Sequence, residues 1–219
     1  PISNNIASIL SSYYNVPQNK IFVNKLGVIK PDSGNLNSSS NVVLVSCSRV
    51  DEVKRVPLIV QMLKLIPETI KIEWHHFGDG SKFEELKTLV KDMPTHINIT
   101  LHGWADQTII YDFYKSHFVT WFLNVSSSEG IPVSIMEAMS FGIPAIATDV
   151  GATSELVNNE NGILLPIDFD LAELARLICE IDADIYDRKR LKAFETWENS
   201  HCADTNYNEL TKIINSIIS

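Results

Sequence analysis

The sequence predicts an α/β fold in which a parallel sheet carries helices on both faces. Two observations lead there. Short, β-branched apolar runs alternate with segments whose apolar residues recur at helical spacing. Turns built on Gly and Pro, such as Gly78-Asp79-Gly80 and Gly142-Ile143-Pro144, stand at several of the changeovers. Strands alternating with helices form βαβ units, and such units pair in parallel.

Each element follows from its own residues. Residues 6–14 are helix-like and precede a stretch that leads into the domain. Residues 32–41, rich in Ser, Asn and Gly, read as a flexible loop. Residues 42–48 are a buried strand and 56–66 a helix. Residues 70–77 are a strand, and 82–90 a helix with Phe83, Leu86, Leu89 and Val90 on its apolar face. Strand 97–101 is closed by Gly103, and helix 107–114 follows. Strand 118–123 precedes a helix over 133–139, with Pro132 at its first position. Strand 145–147, a short helix at 154–157 and an extended piece at 162–165 come next. Residues 171–179, roughly 188–197, and 207–218 are helical. The expected organisation is an interdomain helix and lead-in strand over 1–30, a Rossmann-like domain over 31–187, and a helical tail over 188–219.

Composition narrows the function. The chain has 219 residues, 45% hydrophobic and 21% charged, enough for a core without covalent staples. The net charge of −9 argues against a nucleic-acid-binding face, which needs compensating cations. A single phosphate-bearing ligand needs only one or two. Cys47, Cys179 and Cys202 are odd in number and widely spaced, so neither a disulfide framework nor a zinc site is expected. That composition fits a reducing, cytoplasmic setting, with a peripheral place at the membrane open for a full-length protein. No apolar run reaches membrane-span length, and no charged-then-apolar start resembles a signal peptide. The start at Pro1 instead of Met points to a fragment or processed product.

Parallel α/β sheets bind ligands beyond the carboxyl ends of their strands. The loops over residues 49–54, 78–80, 102–105 and 126–132 are therefore the candidate site. The richest segment runs from Ser126 through Glu129, Gly130, Ile131 and Pro132 to Glu137. A turn there meets a helix N-terminus, a seat for a diphosphate. Pro132 and Glu137 are separated by about 7–8 Å of helix, a span suited to ribose, diphosphate and sugar. A carboxylate among Ile135, Met136, Ala138 and Met139 is costly to bury unpartnered, and a ribose diol could satisfy it. Spacing alone leaves a plain alternative open: Glu137 capped or salt-bridged locally, Glu129 a solvated loop acid.

Glu129, seven residues, Glu137, then Ala138-Met139 and Gly142-x-Pro144-x-Ile146-Ala147-Thr148-x-x-Gly151 resembles the signature of family-four glycosyltransferases of the GT-B fold. Other segments are similar in order: Arg49-Val50 with Lys54, Phe77-Gly78-Asp79-Gly80, Leu101-His102-Gly103-Trp104, the stretch from Gly151 to Val157, and Asn161-Gly162. The resemblance covers roughly residues 20–200. It departs at Lys25-Leu26-Gly27-Val28-Ile29, where only Gly27 and Val28 match the family's usual lead-in, and at Ser48, where Gly is common.

The resemblance implies one lobe of a GT-B fold: the donor-binding, C-terminal domain of a retaining glycosyltransferase. It implies transfer of a hexose from a nucleotide diphosphate sugar to a glycan or lipid-linked acceptor held by an absent N-terminal lobe, toward which the tail would pack. Arg49 and Lys54 would hold the diphosphate and stabilise its departure without a metal. Glu129 would touch the transferred sugar, Gly130 and Ile131 would offer backbone N–H groups, and Glu137 would bind the ribose. Trp104 would flank the base, and Gly27 would join the substrate-binding set. No metal or other cofactor is expected; Asp182-Ala183-Asp184 has the spacing of a metal motif but falls in a late helical region. Plain readings compete: Arg49 and Lys54 as surface charges, Trp104 as core, Gly78 and Gly80 as turn formers, and His75, His76 and His102 as structural groups. A non-catalytic nucleotide-sugar-binding module, a nucleotide-sugar epimerase and a phosphorylase remain as alternative functions. No pyridoxal lysine is identifiable for a phosphorylase, and Cys47-Ser48-Arg49-Val50 lacks the Gly pattern of a dehydrogenase.

Overall fold

The computed structural model describes residues 1–31, 41–180 and 182–218. The loop predicted over 32–41 lies, apart from Asn41, outside the described residues. Six strands form one parallel sheet: β1 (Val42–Cys47), β2 (Ile72–Phe77), β3 (Ile97–Gly103), β4 (Trp121–Asn124), β5 (Ala145–Thr148) and β6 (Gly162–Leu165). Their order is β3-β2-β1-β4-β5-β6. The helices are α1 (Asn4–Ser12), α2 (Pro57–Leu63), α3 (Phe83–Leu89), α4 (Gln107–Ser116), α5 (Val133–Ser140), α6 (Leu171–Cys179), α7 (Ala183–Ser200) and α8 (Ala203–Ile218).

Strand periodicity explains the layers. Leu44 on β1 and Trp121 and Leu123 on β4 point to a core shared with Ile59, Leu63, Leu86, Leu174 and Ile178. Val45 and Phe122, one residue out of phase, point to the opposite core with Ile110, Phe113, Ile135, Met139 and Trp197. A sheet buried on both faces requires apolar residues at successive positions, which is why these strands read as continuous apolar runs.

Several boundaries differ from the sequence reading. β4 begins at Trp121, not at 118, because Val43 N–H donates to the Thr120 hydroxyl and Tyr186 OH donates to Thr120 C=O. Those side chains take the place of two ladder partners, while Thr120 N–H keeps its bond to Val43 C=O. Pro132 is the N-cap of α5, and the helix itself starts at Val133. The predicted helix at 154–157 is a single 3₁₀ turn, Thr153–Glu155. The predicted helix over 188–197 extends to Ala183–Ser200, because the Asp182 carboxylate accepts from Ile185 N–H and caps it. That cap gives Asp182 a structural role.

The two tail helices differ. α7 buries Tyr186, Ala193 and Trp197, the last two in the core that holds α5. α8 buries only Ala203 and Asn206, leaving Leu210, Ile214, Ile217 and Ile218 exposed. At their junction Val28 forms a parallel bridge with Cys202, and Gly27 lies against the Cys202–Ala203 backbone. All three cysteines are free. Among the described residues no helix is long and apolar enough to cross a membrane.

Candidate functional site

The strand order decides where a ligand can bind. The chain winds outward one way through β1, β2 and β3, then returns past β1 to build β4, β5 and β6. The loops after β1 and β4 therefore diverge, and a crevice opens between them. Ser46, Cys47, Ser48, Lys54, Asn124 and Ser126 line it. A larger hollow beside α1, lined by Ala7, Ser11, Gln18 and Val23, has no charged residue in its lining.

Glu129, on the loop between β4 and α5, adjoins this crevice by bonding three of its lining residues. Its side chain is 9% exposed and pairs with Lys54 Nζ, from the β1–α2 connection, at 2.7 Å. The same oxygen, Oε1, accepts from Asn124 Nδ2 at 3.0 Å and Ser126 Oγ at 2.7 Å. Three donors hold one oxygen. Oε2 accepts from no described residue and is open to an external hydroxyl. A carboxylate so buried and so paired is not the solvated loop acid of the plain reading.

The loop is fixed from below by a close approach. Gly151, at φ +61°, lies where an added Cβ would come within 1.8 Å of Glu129 C=O. Ala152 N–H then donates to Gly130 C=O at 2.9 Å. The Gly that ends the long motif is thus a packing requirement of the Glu129 loop. Above it, Gly130 faces open space. The N–H groups of Gly130 and Ile131 find no acceptor among the described residues, although the Ile131 side chain is buried. They stand just before the uncapped N-terminus of α5.

Glu137, one turn further along α5, faces α4. Gln107 Nε2 donates to its Oε1 at 2.5 Å. Burial raises its pKa, an effect the Gln107 hydrogen bond partly offsets. Cys47 lies nearby, and its own burial pushes that thiol up to about 12. Gln107 opens the helix that follows Trp104, a residue 73% exposed that belongs to no core. Gln107 and Glu137 thus form one pair near Cys47, Lys54 and Glu129 another, and Trp104 lies exposed just ahead of α4.

Two predicted residues stand apart. Arg49 has a side chain 77% exposed and lies 3.9 Å from Asp51, its ion-pair partner among the described residues. It follows β1 at the crevice rim but joins none of the interlocked groups. Gly27 meets the α7–α8 junction. The histidines serve packing. His76 Nδ1 shares a 2.8 Å hydrogen bond with Ser46 Oγ, and burial pushes its pKa down to about 4. His102 stacks on Phe77 at 4.1 Å and pairs with His75 at 3.1 Å. Gly78, at φ +132°, admits Ser48 C=O where a Cβ would come within 1.9 Å, so it joins the loops after β1 and β2.

Asn124 and Gln107 escaped the sequence reading, and Ser126 was read as the start of the motif without its partner. They are ordinary polar residues whose partners lie on separate segments or on the far side of a turn. Ser126 alone left a signal, at a fixed spacing three residues before Glu129.

The pattern of the family described as "Glycosyl transferases group 1" matches residues 30–194. The chain belongs to this family. It is 25% identical over 193 residues to the UDP-N-acetylglucosamine–peptide N-acetylglucosaminyltransferase GtfA subunit of Streptococcus pneumoniae, covering 84% of this chain and 37% of that protein. A glycosyltransferase from Rickettsia africae shares the fold with a TM-score of 0.85 at 19% identity, over all of this chain and 62% of its own. Anabaena Alr3699/HepE, solved in complex with UDP and glucose, shares it at 0.76 and 18%, over 99% of this chain and 62% of its own. The chain thus spans less than two thirds of each of these proteins. The domain is a lobe of the GT-B fold, as the resemblance implied.

Proposed function

We propose that this chain is the donor-binding lobe of a retaining, metal-independent hexosyltransferase. The observation that carries the reading is Glu129, buried at the β1/β4 crevice with Oε1 locked by Lys54, Asn124 and Ser126 and Oε2 open. Oε2 accepts a hydroxyl of the transferred sugar. The free N–H groups of Gly130 and Ile131, at the positive end of α5, receive a diphosphate oxygen. Glu137 takes the ribose diol in place of the solvent it has lost, and exposed Trp104 flanks the base. UDP is the first nucleotide to test, since Alr3699/HepE was solved with UDP and glucose.

In the transfer, the bond from the anomeric carbon to the diphosphate oxygen breaks and a bond to the acceptor hydroxyl oxygen forms. Retention requires the acceptor to enter on the face the diphosphate leaves, and the hydroxyl proton passes to the departing diphosphate. Negative charge grows on that leaving group. Lys54 is already held in the crevice, and Arg49 is free at its rim to close on the phosphate. Two cations aimed at developing charge supply what a metal would otherwise supply. The acceptor, a glycan or lipid-linked glycan, is held by a second lobe, for which the additional length of the relatives leaves room.

The test is a calorimetric titration with UDP, UDP-glucose, GDP and GDP-mannose, with and without EDTA, beside a product assay with the donor alone and with acceptors. Binding of a diphosphate in the range of roughly 10 μM to 1 mM that survives EDTA is the expected result. Binding that needs a divalent cation removes the metal-independent reading. Conversion of the sugar without an acceptor would favour an epimerase.

A further inference from the structure

Arg55 stands out beside the donor site. It is a non-Gly residue at φ +49°, in the left-handed region that a Cβ disfavours. Such a conformation persists where the surroundings over-determine it. Here the guanidinium does so. Nε donates to Val125 C=O at 2.7 Å, Nη2 to Ser126 C=O at 3.3 Å and Nη1 to Ile167 C=O at 3.0 Å. The cation also lies 5.7 Å from the centre of the Phe169 ring. One side chain thereby joins the loop after β4 to the loop after β6.

The left-handed turn has a second effect. Lys54 and Arg55 are neighbours in sequence, yet both reach the β4–α5 loop at different points: Lys54 at the Glu129 carboxylate, Arg55 at the backbone of Val125 and Ser126. Ser127 N–H completes the seam by donating to Val53 C=O at 2.8 Å. Ser126 is the link. Its C=O accepts from Arg55 and, at 2.5 Å, from the Thr148 hydroxyl, and its N–H donates to Asn124 Oδ1. Its hydroxyl donates to Glu129 Oε1 at 2.7 Å. Arg55 thus ties an already anchored residue to the loop after β6. A planar fork with five donors can hold three carbonyls at once, whereas an ammonium acts as a point charge.

We infer that Arg55 is a positioning residue for the transferred sugar: it fixes the Ser126 backbone, and through the Ser126 hydroxyl it fixes which way Glu129 presents Oε2. The inference rests on the donor-site reading above. It predicts selectivity between ligands. Loosening the seam tilts Glu129 and affects the sugar, while the nucleotide and diphosphate contacts of Glu137 and the α5 N-terminus stay in place.

The test uses the wild-type chain, Arg55→Gly, Arg55→Lys, Glu129→Gln and the Arg55→Gly/Glu129→Gln double variant. Each is titrated with UDP, UDP-glucose, GDP and GDP-mannose. Gly suits the left-handed backbone, so Arg55→Gly removes the clamp without adding backbone strain. It is expected to weaken the sugar-bearing donor roughly tenfold and the matching diphosphate less than about threefold, and to add less than about twofold in the Glu129→Gln background. Arg55→Lys is expected to fall between wild type and Gly, and it provides the same comparison if the Gly variant does not fold. Equal losses for donor and diphosphate, losses that add fully in the double variant, or no loss in either single variant overturn the inference. A wild-type chain that binds none of the four ligands is a different result and overturns the donor-site reading itself.

Discussion

The loop before α5 and the body of α5 each carry one carboxylate, and the protein treats the two differently. Glu129 is paired in advance: a lysine, an amide and a hydroxyl meet on one oxygen. Glu137 has one amide donor, from Gln107, and a pKa raised by burial. The first group is preorganised, so a sugar hydroxyl can use its free oxygen without rearranging the crevice. The second is underpaired, so a ligand diol gains by supplying what burial removed. In the proposed reading, a donor would meet one rigid acceptor and one acceptor with a single protein donor on one loop–helix unit.

The largest way to break this contrast is to unpair Glu129. Lys54→Ala leaves a carboxylate 9% exposed without its cation. Lys54 itself is a quarter exposed, so the loss of stability is expected at about 1–3 kcal/mol, below that of a fully buried pair. Thermal unfolding reads it directly. Diphosphate affinity should fall as well, by about 1.5–3 kcal/mol by calorimetry. Adding Glu129→Gln should recover part of the stability and none of that affinity.

Arg49→Ala sharpens the contrast from the other side. Arg49 is exposed and poorly paired. Its removal should leave stability within about 0.5 kcal/mol of wild type. It should weaken diphosphate binding by about 1.5–3 kcal/mol and monophosphate binding less. Equal losses for mono- and diphosphate would show that Arg49 does not reach the terminal phosphate.

Glu137→Gln tests the underpaired carboxylate. It should cost about 1 kcal/mol in binding a ribonucleoside diphosphate and less for the 2′-deoxy analogue. If the two analogues lose affinity equally, Glu137 does not hold the ribose.

The smallest effect concerns pH. Burial raises the Glu137 pKa in the fold, so the native state holds the proton more tightly than the unfolded chain. Its contribution is therefore fully present at low pH and is lost as pH rises through the folded pKa. Glu137→Gln, neutral throughout, should raise Tm by about 1–3 °C at pH 7.5, and the gain should fade toward acid. A gain that grows on acidification would contradict the direction of the shift.

Much of this was legible in the chain. Alternating strand and helix periods imply the α/β class, and both carboxylates lie in one continuous motif that runs on to Gly151. The motif is readable because its parts are local: a strand end, a turn and a helix start lie within a few residues. Boundaries were less legible where a side chain replaced a backbone partner. Thr120 shortens β4 and Asp182 starts α7 early, and neither substitution has a periodicity.

Tertiary structure alone decided the neighbours. Lys54 and Glu129 are 75 residues apart and meet because β1 lies beside β4. Gln107 reaches Glu137 across 30 residues because α4 and α5 cover the same face of the sheet. Arg55 spans 112 residues to Ile167 C=O from a left-handed turn. Apolar periodicity records which side of an element is buried, and so it determined the class of fold and the segment that carries the site. It does not record which strand lies alongside, since every strand buried on both faces offers the same apolar pattern. Sheet order therefore determined which cation faces which carboxylate.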